Sequence, residues 1–241
     1  MKISVIVPAY NEERLIGRTL GQLRQAMSAF AQAGWNSELI VCDNNSSDRT
    51  AALARGAGAM VVFEPINQIS RARNSGAAAA SGDWLIFVDA DSEPSAALFS
   101  QVVEQIRGGR CLAGGCTVKL DGDHRLGTGA VAFWNCLSLC FKLLAGSFVF
   151  CEAAAFREIG GFNQELFASE EIDLTRRLKQ LARKRRQKLV ILRQHPLLTS
   201  ARKVHLYSVR EYLWFLLRTV LSLGGTLRRR ESCQPWYDGR R

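Results

Sequence analysis

The chain has 241 residues, 47% of them hydrophobic, which suits one α/β domain with a full core and a tail better than two domains. Its 20 Gly and 5 Pro follow no repeating period, so collagen-like, disordered and solenoid architectures are excluded. The net charge of +10 is uneven: residues 176–241 carry 18 Lys and Arg against 3 Asp and Glu, a net of +15, and residues 1–175 carry −5.

Ile3–Val7 (ISVIV) is a continuous run of mostly β-branched residues and predicts a buried parallel strand. Pro8 ends it, and Asn11 is placed to cap a helix whose apolar face is Leu15, Ile16, Leu20, Leu23, Met27 and Phe30. Glu38–Cys42 predicts a second strand. After a polar turn at Asn44–Ser47, Ser47 or Asp48 can cap a short helix to about Gly56. Met60–Phe63 predicts a third strand, Ser70–Ala80 a helix of small residues, and Trp84–Val88 (WLIFV) a fourth strand. This alternation implies right-handed β-α-β crossovers and a parallel sheet. Beyond Pro94 the expected elements are a helix over Ala96–Arg107, a strand over Cys111–Leu120 and an apolar helix over Thr128–Leu144. A polar-faced helix over Glu170–Arg186, a last strand over Lys188–Leu192 and an amphipathic helix over Tyr207–Leu223 follow, before the basic tail.

A basic end meets nucleic acid, anionic lipid headgroups or phosphorylated substrates, or serves as a solvated face. Arg183–Lys188 is the one dense basic run, and no nucleic-acid recognition motif accompanies it, so no nucleic-acid partner is expected. Seven cysteines, an odd number without Cys-x-x-Cys, suggest neither a disulfide framework nor a zinc site, and a reducing cytosol is the simplest compartment. Met1-Lys2 leads straight into the first strand, which is not the pattern of a signal peptide. The apolar stretches Ala130–Cys151 and Tyr212–Leu223 are interrupted by Asn135, Lys142 and Arg218, so neither is expected to span a membrane.

In open α/β sheets, ligands bind past the carboxyl ends of the strands. Three polar groups stand at such ends: Tyr10-Asn11-Glu12, Asp43-Asn44-Asn45 and Asp89-Ala90-Asp91. The last is the sharpest, because two carboxylates one residue apart can gather round a hard divalent cation that also takes phosphate oxygens. No Gly-x-Gly-x-x-Gly and no Gly-x-x-x-x-Gly-Lys-Ser/Thr is present, so nicotinamide, flavin and P-loop sites are excluded. Without a glycine cradle, a diphosphate would be neutralised by the metal and by cations, for which Arg71 and Arg73 are candidates. A nucleotidyltransferase on a related fold would carry a Gly-rich basic loop after the first strand, and Pro8–Glu13 has no glycine.

The ordered set Val-Pro-Ala-Tyr-Asn-Glu-Glu, Val-Cys-Asp-Asn-Asn-Ser-Ser-Asp-Arg-Thr, Ala-Arg-Asn-Ser-Gly and Val-Asp-Ala-Asp resembles the family 2 glycosyltransferases. The likeness runs from Ile3 to about Asp91. It resumes at Gly160-Gly161-Phe162 and Glu170-Glu171-Ile172-Asp173-Leu174. It implies an inverting enzyme with the GT-A nucleotide-diphospho-sugar transferase fold, with a mostly parallel central sheet and flanking helices. The domain would cover 1–206, its donor part about 1–94 and its acceptor and catalytic part about 95–206, with an amphipathic helix and basic tail over 207–241.

Residue by residue, the resemblance implies that Pro8, Tyr10 and Glu12 line the nucleoside pocket. Asp43 would accept a hydrogen bond from the base, most often uracil, and Arg73 would hold Asp43 or the donor. Asp91 would bind Mn²⁺ or Mg²⁺ directly and Asp89 the ribose or the metal. Gly160-Gly161-Phe162 would open the acceptor side. The family has Asp where Glu171 stands, so Glu171 is the implied catalytic base, with Glu170 as the alternative. Some relatives use a histidine after the last strand as a further metal ligand, which makes His195 a candidate, although a lone His is more often structural. Arg202 and Lys203 could reach the diphosphate. A UDP-sugar donor and an unidentified hydroxyl acceptor are implied. The apolar helices and basic tail allow a lipid-linked acceptor and peripheral contact with anionic membrane.

Overall fold

The computed structural model describes residues 1–122, 125–201, 225–228, 231 and 233. Its first half is a doubly covered parallel sheet of β1 (Lys2–Ala9), β2 (Asn36–Asp43), β3 (Met60–Phe63) and β4 (Trp84–Val88). These strands are linked by α1 (Ile16–Gln32), α2 (Thr50–Gly56) and α3 (Ile69–Ala79). There follow β5 (Ser92–Glu93), α4 (Ala96–Arg107), β6 (Cys111–Leu120), α5 (Arg125–Phe141) and β7 (Phe148–Glu152). The remaining elements are α6 (Ala153–Glu158), α7 (Glu170–Lys184), β8 (Lys188–Thr199) and a 3-10 turn at Gly225–Arg228. The eight strands lie in the order β3-β2-β1-β4-β7-β6-β8-β5.

The alternation of side chains along β1 explains the layers. Ile3, Val5 and Val7 pack with α1 (Leu20, Leu23, Phe30) and α4 (Leu98, Phe99, Val102) on one face. Ile6, with Leu85 and Phe87 of β4, packs with Phe156 of α6 and Leu174, Leu178 and Leu181 of α7 on the other. Both faces are therefore apolar, and the strands read as unbroken hydrophobic runs. The order 2-1-4 places a topological switch point between β1 and β4, where the chain leaves one side of β1 and returns on the other.

Three expectations change. Asn11 does not cap α1, which begins at Ile16 behind Leu15 with no side-chain cap. Asn11 instead takes a positive φ of 51° and binds the next loop: Ser47 N–H donates to its Oδ1 at 2.8 Å. β7 was not expected, and it lies antiparallel between β4 and β6, so the sheet is mixed beyond the switch point. The last strand continues past Leu192 to Thr199 after a break in register against β6, between Cys116↔Leu192 and Val118↔Leu197. The expected Tyr207–Leu223 helix lies outside the described residues.

Candidate active site

The carboxyl ends of β2, β1 and β4 are adjacent, so the three polar groups meet on one edge of the sheet. Ala9 pairs with Asp43, and Asn44 N–H donates to Ala9 O at 2.8 Å. The loops after β1 and β2 are latched: Asn11 N–H donates to Ser46 Oγ (3.0 Å), Glu12 N–H to Thr50 Oγ1 (2.7 Å) and Glu13 N–H to Asp48 Oδ2 (3.1 Å). This holds Pro8, half-buried Tyr10 and buried Glu12 beside Asp43. Asp43 is itself buried, with Oδ1 accepting from Ser46 N–H at 3.3 Å. Asp43 and Asp89 end strands two spacings apart, about 10 Å at the usual separation of neighbouring strands.

Arg73 is the centre of the arrangement and is 2% exposed. Its Nη2 donates to Asp89 Oδ1 at 2.9 Å and to Gly146 O at 2.8 Å, and its Nη1 to Glu170 Oε1 at 2.7 Å. Its guanidinium carbon lies 5.1 Å from the Phe162 ring centroid. Among the described residues it touches Asp89 and Glu170, not Asp43. The charges of Asp89, Glu170 and Glu171 outweigh the burial that would lower its pKa and keep it firmly cationic. Among the described residues its Nε has no hydrogen-bond partner, an exception that native cores make rarely and functional sites more often.

The two glutamates at the start of α7 differ in freedom. Glu170 is buried and committed to Arg73. Glu171 is half-buried, and its pKa is pushed up to about 8, first by burial and next by the Glu170 charge. A Cβ on Gly146 would stand 3.3 Å from Arg73 Nη2 and 3.6 Å from the Glu171 carboxyl carbon, so a bare backbone fills the gap between them. Asp173 turns away and pairs with Arg177 Nη2 at 2.7 Å. Arg177 Nη1 in turn donates to Ile159 O and Gly161 O at 2.7 Å each.

Sequence reasoning missed two residues of α3, Gln68 at its N-cap and Asn74. Asn74 holds both backbone groups of Phe162 at 2.9 Å, and Gln68 Nε2 donates to Gln164 O (2.8 Å) and Leu166 O (3.0 Å). Gly161 has φ +69°, and a Cβ there would sit 2.7 Å from Asn74 Oδ1, which explains the glycine in this motif. The signal was present in the Ala-Arg-Asn run, where Asn74 follows Arg73. Arg71 Nε donates to Gln68 Oε1 at 3.1 Å, so it braces the same helix start.

Asp89 and Asp91 are half-exposed, and Ser200 N–H donates to Asp91 O at 3.1 Å, which brings the end of β8 beside them. Arg73 occupies one oxygen of Asp89. No group of three or more metal-capable residues occurs among the described residues, and Asp89 and Asp91 are the two carboxylates that follow β4 at this edge. Hard oxygen donors of this number fit a divalent cation whose remaining ligands are water and phosphate oxygens. His195 is exposed in the irregular stretch of β8, five residues before Ser200, a separation of up to about 17 Å at the usual rise per residue. Among the described residues it forms no metal-capable group with the two aspartates. Arg202 and Lys203 lie outside the described residues.

The fold recurs in known proteins. The mannosyltransferase PcManGT from Pyrobaculum calidifontis, in complex with GDP-Man and Mn²⁺, matches with a TM-score of 0.69 at 18% identity, covering 90% of this chain and 60% of that one. Glucosyl-3-phosphoglycerate synthase from Mycobacterium tuberculosis, in complex with Mn²⁺, UDP and phosphoglyceric acid, matches with a TM-score of 0.61 at 21% identity, over 93% of this chain and 78% of that one. Both are GT-A nucleotide-sugar transferases, and the likeness fixes the fold. In sequence, the uncharacterized glycosyltransferase EpsJ of Bacillus subtilis is 32% identical over 130 residues, 51% of this chain. The aligned part spans 36% of EpsJ. The pattern of glycosyl transferase family 2 matches residues 4–142, more than half of the chain. The chain belongs to glycosyl transferase family 2.

Proposed function

We propose that the chain is a cation-dependent, inverting glycosyltransferase that moves a sugar from a nucleotide-sugar, with UDP-sugars the first donors to test, to an acceptor hydroxyl. The observation that carries this reading is Arg73, which joins the carboxylate expected at the donor to the helix that begins at the expected base. Two structural neighbours hold Mn²⁺ together with GDP-Man or UDP, which supports a donor of the same chemistry here.

In this reading Asp91, with Asp89, holds Mn²⁺ or Mg²⁺, whose chemical contribution is to neutralise charge on the departing diphosphate. Pro8, Tyr10 and Glu12 enclose the nucleoside, Asp43 accepts from the base, and Arg202 reaches the diphosphate. Glu171 takes the acceptor hydroxyl proton while that oxygen attacks the anomeric carbon opposite the leaving group. One bond forms as the sugar–phosphate bond breaks, so the configuration inverts. A base works best with a pKa near the operating pH, which Glu171 has, while Glu170 is committed to its ion pair with Arg73. We take residues 1–206 as the catalytic unit and 207–241 as a basic attachment to the cytoplasmic membrane face, where a lipid-linked acceptor would lie. No helix among the described residues is long and apolar enough to cross a membrane.

A screen of nucleoside diphosphates by thermal shift, with Mn²⁺ and with chelator, tests the proposal. UDP or GDP should stabilise the chain with the cation and much less without it. Absence of stabilisation by any nucleoside diphosphate in both conditions overturns it.

A further inference from the structure

Helix α5 presents its apolar side to solvent. Its inward side carries Asn135, which binds both backbone groups of Val118 at 2.9 and 3.0 Å, and buried Ser138, whose hydroxyl donates to Leu143 O at 2.7 Å. Its outward side carries Ala130, Phe133, Cys136, Cys140 and Phe141. Phe133 is 68% exposed and Phe141 61%. At 3.6 residues per turn these five fall within one arc of roughly 140°. From Leu126 to Phe141 the helix has no charged residue. Isolated exposed apolar residues are ordinary, but a continuous apolar helix face marks a contact surface.

The rim of this face is cationic. Exposed Lys142 follows Phe141 directly and Lys179 Nζ donates to Phe141 O, while Arg176, one turn earlier on α7 and 72% exposed, is paired with Asp173 at 3.5 Å. A two-fold contact between two copies through α5 would set Lys142 and Lys179 against their own counterparts, with no acid on α5 to offset them. An anionic lipid surface offsets them and also accepts the aromatic rings.

We propose that the outer face of α5 docks on an anionic bilayer, with Phe133 and Phe141 at the headgroup–acyl boundary and Lys142 and Lys179 on the headgroups. The surface is separate in sequence from the basic tail, and with it makes a two-signal attachment. One consequence rests on the transferase reading. Leu144 N–H donates to Thr175 Oγ1 (3.2 Å), whose hydroxyl donates to Glu171 O (2.7 Å), so the docked face ends at the helix turn that carries the base. The turn with Glu171 then lies next to the docked surface.

Flotation of the full chain with phosphatidylcholine vesicles, with and without one-third phosphatidylglycerol, tests the docking. The chain should float with the anionic vesicles and not with the neutral ones. Phe133→Ser/Phe141→Ser should weaken that binding about tenfold or more, as expected for loss of two buried aromatic side chains, with the melting temperature unchanged. Lys142→Glu should weaken it at low salt and less at high salt. No binding by the unaltered chain overturns the proposal, and so does undiminished binding by the double variant. A dimer that the double variant loses would assign the face to a second copy, and a large fall in its melting temperature would mean that the chain itself covers it; either outcome overturns the bilayer assignment. UDP binding, measured in parallel, reports on the transferase reading separately: its failure leaves the vesicle result standing.

Discussion

Arg73 Nη2 lies 2.9 Å from Asp89 Oδ1, an ion pair 3% exposed on the arginine side and 26% on the aspartate side. The cation is thus fixed in the core while the carboxylate reaches the open edge of the sheet. Arg73 fixes the orientation of Asp89 and occupies one of its oxygens, and through Glu170 it also seats the first turn of α7.

Loss of this junction should be costly in stability. Arg73→Met leaves Glu170 buried without a partner, and breaking a buried pair costs about 3–5 kcal/mol. Denaturant unfolding should show that loss, and Arg73→Met/Glu170→Gln should recover part of it because the unpaired charge is gone. A neutral Arg73→Met would mean that the cluster does not organise the fold.

Asp91 and Asp89 would meet a diphosphate with like charge unless a cation lies between them. Calorimetry with UDP should show binding with Mn²⁺ or Mg²⁺ and much less with chelator, and Asp91→Ala should resemble the chelated protein. Equal affinity under both conditions would remove the metal from the mechanism.

Asp43 is buried between the latched loops after β1 and β2. If it reads the base, Asp43→Ala should weaken UDP far more than it weakens pyrophosphate. An equal loss for both would restrict Asp43 to shaping its turn.

The first four strands were legible because each holds a short apolar run bounded by polar turns; the run is buried on both faces in β1, β4 and the later part of β2, whereas edge strand β3 is partly exposed. Ser70–Ala80 and Glu170–Arg186 were likewise close to α3 and α7. β7 escaped because Phe148–Glu152 continues the apolar stretch of α5, and a short apolar run does not distinguish strand from helix. The extension of β8 escaped because Arg193-Gln194-His195-Pro196 reads as a strand end, whereas the strand resumes after it. The edge with Asp43, Asp89 and Asp91 followed from strand ends alone. The partners of Arg73 did not, since they depend on how α3 and α7 pack 97 residues apart in sequence.

The raised pKa of Glu171 has a consequence for stability. The folded state keeps a proton that the unfolded chain releases near the ordinary value of 4.5, so this favourable contribution is complete at low pH and is lost as pH rises towards about 8. Glu171→Gln, which cannot ionise, should match the parent in acid and become progressively more stable than it between pH 4.5 and 8. Melting temperatures across that range check this. A gap that does not widen with pH would place the Glu171 carboxylate in an ordinary solvated setting.

The most direct measurement is turnover of Glu171→Gln beside Glu170→Gln, using the slow hydrolysis of a UDP-sugar by water until an acceptor is known. The substitution keeps size and removes proton affinity. Glu171→Gln should lower turnover about a hundredfold or more, the usual scale for loss of a general base, with UDP affinity nearly unchanged. Glu170→Gln should act mainly through Arg73, lowering stability more than the chemical step. Full turnover by Glu171→Gln, with Glu170→Gln the inactive variant, would contradict the assignment of the base.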